Sequence, residues 1–139
     1  MKLFRLFRSI VLNEGEVINT NNIGNSWTLC EVFAEHHAND YNRFAGKDGY
    51  VILAIDVSLE DVDLDNTLFS MENREYEFEV VINDLDVEAE IHEVQGIDTY
   101  EKGDILNANT GSDYFEDYCV EYEGDLVVAD LIKLINDFE

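Results

Sequence analysis

Residues 4–12 read Phe4-Arg5-Leu6-Phe7-Arg8-Ser9-Ile10-Val11-Leu12, and the reading of this stretch decides the kind of fold. It is an apolar, partly β-branched run with no glycine or proline, and residues two apart in a strand share a face. Phe4, Leu6, Arg8, Ile10 and Leu12 therefore line one side of a strand. Working outward, the pattern predicts strands at about 3–12, 25–28, 50–57, 75–82, 86–94 and 114–122. A helix is predicted over about 29–44, where Cys30, Phe33, Ala34, His37, Tyr41 and Phe44 recur at helical spacing. A last helix from about 125 puts Val127, Leu131, Leu134, Ile135 and Phe138 on one face. Residues 103–113 read as a loop. With 139 residues and 46% apolar content, the chain fits one domain, residues 1–139, with a genuine core. The expected class is α+β, a mixed or antiparallel sheet with a few helices.

Three short segments carry candidate chemistry. Arg8 is the one cation on its apolar strand face. A buried guanidinium needs an anion, either a protein carboxylate or a ligand phosphate, and its planar fork suits phosphate oxygens. Arg5 has the same Leu-Phe-Arg context but points to the opposite face. Ser26 and Thr28 flank Trp27 just after Gly24; their hydroxyls can donate to a ribose oxygen, brace a carboxylate, or cap the next helix. On a continuous strand, Glu75, Glu77 and Glu79 would share one face with neighbours about 7 Å apart. In a cleft these carboxylates would raise one another's pKa; in the open they form a solvated acidic face.

In order and context these segments resemble the ADP-ribosyltransferase family, particularly its short phage-type members. The resemblance covers roughly residues 3 to 95. It implies an arginine on the first strand that holds NAD phosphate, here Arg8. It also implies a hydroxyl strand that supports the nicotinamide ribose, here Ser26 and Thr28. The Glu-x-Glu element gives Glu77 and Glu79, with Glu79 as the catalytic carboxylate and Glu77 orienting or deprotonating the acceptor. NAD is then a substrate, and a protein arginine is the expected acceptor. On this reading residues 1–95 form a transferase-like core, and 96–139 form an acidic C-terminal extension packed on it.

Charge points to a partner. Residues 1–55 hold 6 acidic and 5 basic residues, whereas 56–139 hold 26 acidic and 3 basic residues. Such a field repels nucleic acid and anionic membranes and attracts basic surfaces. The expected partner is a basic, nucleic-acid-binding protein, met by Asp113, Glu116, Asp117, Glu121, Glu123 and Asp125. The balance also fits a second reading, a non-catalytic DNA-mimic decoy of the anti-restriction or anti-CRISPR kind. No apolar run reaches the 18 residues or so of a membrane span, and the N-terminus lacks a cleavage pattern. Cys30 and Cys119 have no metal-like spacing, which suggests reduced thiols and a cytoplasmic setting. His36, His37 and His92 read as surface or packing residues.

Asp61, Asp63, Asp65 and Glu72 fall at calcium-loop spacing, with Asn66 at the glycine position. The context argues against such a loop. Strands are expected on both sides, where an EF-hand has helices, and Val62 and Leu64 are apolar for loop positions.

Overall fold

The alternation in residues 4–12 becomes strand β1 (Phe4–Leu12), which pairs along its whole length with β3 (Gly49–Val57), from Phe4 opposite Val57 to Leu12 opposite Gly49. The computed structural model describes residues 2–41, 46–111 and 120–138. The remaining strands are β2 (Ser26–Thr28), β4 (Glu79–Val81), β5 (Asp86–Gln95) and β6 (Ile105–Asn109). Their order is β4-β2-β1-β3-β5-β6, and every neighbouring pair is antiparallel. Three α-helices complete the described chain: α1 (Glu31–His36), α2 (Leu64–Asn73) and α3 (Val128–Asp137). Together they form one α+β domain built on an antiparallel sheet.

Strand β3 is buried on both faces, which explains why Tyr50–Ile55 is an unbroken apolar run rather than an alternating one. On one face Val51, Leu53, Ile55 and Val57 join Phe4, Leu6, Trp27, Val80, Ile82, Ala89 and Ile91 in the main core. Leu131 and Ile135 of α3 enter the same core, so the last helix and β6 belong to the sheet and core of the domain. On the other face Tyr50 and Ile52 pack against Ala34 and Ala38, with Phe7 and Val11 alongside. Two alanines on the sheet-facing side let α1 and the π-turn after it (His37–Tyr41) lie close to the strands.

Four expectations change. Residues 64–73 form a helix that the sequence pattern does not announce, in the region whose carboxylates have calcium-loop spacing in an unfavourable context. Asp63 caps it, accepting from the Asn66 N–H at 3.2 Å and from Asn66 Nδ2 at 2.7 Å. Asp61 instead accepts from the backbone and hydroxyl of Ser58, and Glu72 accepts from the Tyr122 hydroxyl. A helical backbone holds Asp65 and Glu72 on a rod, so these groups do not wrap one cation. Second, 75–82 is not a continuous strand. A 3-10 turn spans Glu75–Glu77, Phe78 is left-handed at φ 49°, and only Glu79–Val81 is extended. Third, part of the expected loop at 103–113 is β6, whose register with β5 turns Ala108 into the core. Asparagines at 107 and 109 hid it, because they are poor strand formers tolerated on a sheet's outer edge. Fourth, the helix expected over 29–44 is α-helical only to His36 and continues as the π-turn. The strand expected at 114–122 falls mostly outside the described residues, as do Phe44, Cys119, Asp113, Glu116 and Asp117. Among the described residues, no helix is long and apolar enough to cross a membrane.

Candidate functional site

The site is assembled by β2 and β4, which pair Ser26 with Val81, Trp27 with Val80 and Thr28 with Glu79. Paired residues share a face, so Ser26, Thr28 and Glu79 stand together on the side away from Trp27 and Val80. There the Ser26 hydroxyl donates to Glu79 Oε2. The Thr28 hydroxyl donates to the Glu77 carbonyl at 2.8 Å and accepts from the Cys30 N–H at 3.0 Å. The Leu29 N–H donates to the Phe78 carbonyl at 3.1 Å. These bonds fasten the turn that carries Glu77 to β2. They also hold Phe78 in its left-handed conformation, with its ring edge-on to Phe138 at 5.0 Å. A non-glycine residue with positive φ persists only where surrounding contacts enforce it. Helix α1 is capped by Cys30, whose Sγ accepts from the Phe33 N–H at 3.3 Å, so Ser26 and Thr28 are left for other work.

Arg8 reaches this assembly through the backbone of β2. Phe7, not Arg8, is opposite Thr28, so Arg8 leaves β1 on the other face from the hydroxyl pair. Its Nη1 then donates to the Ser26 carbonyl at 2.6 Å. Gly24 makes room for it: a Cβ there would lie 2.8 Å from Arg8 Cζ, and the φ of +84° suits glycine alone. The guanidinium is largely buried, and its Nε has no hydrogen-bond partner within the described structure. Burial lowers the pKa of Arg8, while the charge of Glu79 opposes that shift. The same cation, after burial, helps to lower the pKa of His37, whose Nδ1 lies 3.5 Å from the Ser9 hydroxyl. Arg5, by contrast, is tied on the surface to Asp56 and Glu90 by contacts of 3.0–3.1 Å.

The two glutamates differ. The Glu79 side chain is 15% exposed and the Glu77 side chain 25%. Burial and then the charge of Glu79 raise the pKa of Glu77, and Arg74 partly offsets them. Glu75 lies in the exposed 3-10 turn and is not part of the group. Arg74, missed by the sequence reading, lies with Nε 3.7 Å from Glu77 and Nη2 4.0 Å from Glu79. The available signal was its isolation, since it is the one arginine in residues 56–139.

A second acidic group is built by α1 and β5. Carboxylate oxygens of Glu31, Glu35 and Glu93 lie within 4.8 Å of one another. Desolvation and then Glu35 push Glu93 up to about 7, while Glu31 lies 2.8 Å from His92 Nε2. Of the expected partner-binding carboxylates, Glu121, Glu123 and Asp125 are described, and all three are exposed. No protein-family model matches the chain, and no curated protein and no solved structure matches it either.

Proposed function

We propose that this protein is a mono-ADP-ribosyltransferase with a fold of that family's kind, transferring ADP-ribose from NAD to an arginine on a basic protein. A phage-encoded protein directed at a host system would suit the acidic surface. The carrying observation is the bond from Ser26 to Glu79 beside a buried arginine with an orphaned Nε. Three groups separated by 18 and 53 residues meet there, and a buried cation lacking a full set of partners favours an anionic ligand. Cleavage of the nicotinamide–ribose bond develops positive charge on the sugar, which a preorganised carboxylate stabilises. Glu79, oriented by Ser26, supplies that charge. Glu77, whose pKa is raised, takes the proton of the accepting guanidinium, and Arg8 anchors phosphate so that the reacting atoms are positioned.

Calorimetry with NAD at low salt tests the binding half. The wild-type chain binds, and Arg8→Lys, which keeps the charge but loses the planar fork, binds more weakly by about 1.5–3 kcal/mol. Equal affinity of the two would remove Arg8 from the site.

The charge favours a second reading, an acidic decoy that occupies a nucleic-acid-binding surface. It is supported by 26 acidic against 3 basic residues in 56–139 and by the exposure of Glu121, Glu123 and Asp125. A decoy binds its basic partner without NAD and is displaced by duplex DNA. The transferase reading requires NAD-dependent labelling of that partner.

A further inference from the structure

The described arginines are held in different ways. Arg5 makes close paired contacts with Asp56 at 3.0 and 3.1 Å, and Arg8 is buried against the Ser26 carbonyl. Arg74 is different. Its backbone is fixed, because its N–H donates to the Ser70 carbonyl at 2.6 Å and closes the end of α2. Its side chain is 51% exposed and extends toward both Glu77 and Glu79. The separations of 3.7 and 4.0 Å exceed those of a charge-assisted hydrogen bond, about 2.7–2.9 Å. The guanidinium therefore faces both carboxylates without being committed to either.

We infer that Arg74 is a modification site within the chain itself, a guanidinium that accepts ADP-ribose in cis from a nicotinamide dinucleotide. This rests on the transferase reading and adds to it an acceptor. The bond between ribose C1′ and the nicotinamide nitrogen breaks, and its electron pair leaves with neutral nicotinamide. A terminal nitrogen of Arg74 forms the new bond to C1′ and loses a proton to Glu77 as it does so. The products are an ADP-ribosylated arginine, nicotinamide and one proton. Glu77, 3.7 Å from Arg74 and with its pKa raised by burial, takes the proton, and Glu79 remains opposite the developing sugar charge. Because α2 fixes the Cα of Arg74 next to the glutamates, the acceptor is supplied at an effective concentration that no free arginine matches. The adduct would stand at the mouth of the site and limit further turnover.

The test uses the full chain with NAD, followed by intact-mass analysis and fragment mapping. One ADP-ribose is expected on Arg74, at a fractional rate that does not change when protein concentration is varied tenfold. Arg74→Lys should remove the label from that position, because an ammonium lacks the guanidinium nitrogens. Release of nicotinamide with no label on Arg74 would overturn the inference and leave the transferase reading standing. So would a label mapped elsewhere, or a rate that rises with concentration. Neither binding nor cleavage of NAD would overturn both.

Discussion

At the residue scale the site depends on a few side chains whose positions are unusually constrained. Gly24 is one, because any side chain there meets the Arg8 guanidinium and must adopt φ +84°. Gly24→Ala should destabilise the fold by about 1 kcal/mol or more and weaken NAD binding together with it, read by thermal melting and calorimetry on the same sample. Unchanged stability would mean that Arg8 moves freely aside. Arg8 itself was legible in the sequence as a lone cation on an apolar face, and so were the hydroxyls of Ser26 and Thr28. Their relation was not legible, because alternation along a strand says which face a residue leaves by but not which residue is opposite. The register sets Phe7 against Thr28, so Arg8 joins the hydroxyl strand through the Ser26 carbonyl. Arg74 was not legible either, since its role depends on a helix ending beside a turn.

At the scale of elements, α2 positions β4. The Thr67 hydroxyl, fully buried, donates to the Val81 carbonyl at 3.2 Å and accepts from the Val81 N–H at 3.0 Å. Thr67→Val keeps the shape but leaves the Val81 N–H unpaired, while the Val81 carbonyl still accepts from the Asp63 N–H at 2.9 Å, a loss of about 1–3 kcal/mol. Denaturant melts should show that loss, and NAD turnover should fall further than stability alone explains, because Glu79 lies two residues from Val81. Equal stability of variant and wild type would contradict this role. The helix was hidden in the sequence by its own polarity. Asp65, Asn66, Glu72 and Asn73 weaken the apolar pattern, and tertiary contacts of Leu68, Thr67 and Ser70 carry it instead. The break at Phe78 was hidden for the opposite reason: Glu75 to Ile82 alternates so regularly that nothing local announces a left-handed residue. The long elements β1, β3, β5 and α3 were read correctly, β3 from its unbroken apolar run and the others from the period of their apolar residues.

At the scale of the whole molecule, charge sets the response to pH and salt. Glu93 has its folded pKa raised to about 7 by burial and by Glu35. A carboxyl with a raised folded pKa contributes stability that is fully present below its unfolded pKa and is lost as pH rises through the folded one. Melting temperature should therefore fall between about pH 5 and pH 8, and Glu93→Gln should flatten that fall; an unchanged slope would clear Glu93 of the effect. The exposed carboxylates of Glu121, Glu123 and Asp125 should draw a basic partner from a distance. Replacing them with Asn and Gln should slow association more than it speeds dissociation and should leave NAD cleavage intact. Binding indifferent to salt would assign that charge to solubility. In the proposed function Glu79, held by Ser26, stabilises the cleavage of NAD. Its most direct measurement is nicotinamide released from NAD by the purified chain, compared with Glu79→Gln. The wild type should release nicotinamide, at an initial rate that falls at least about a hundredfold in the variant, the scale of removing a preorganised electrostatic contact. Release that is equal in the two proteins, or no release from a wild-type chain supplied with NAD and a basic acceptor protein, would contradict it.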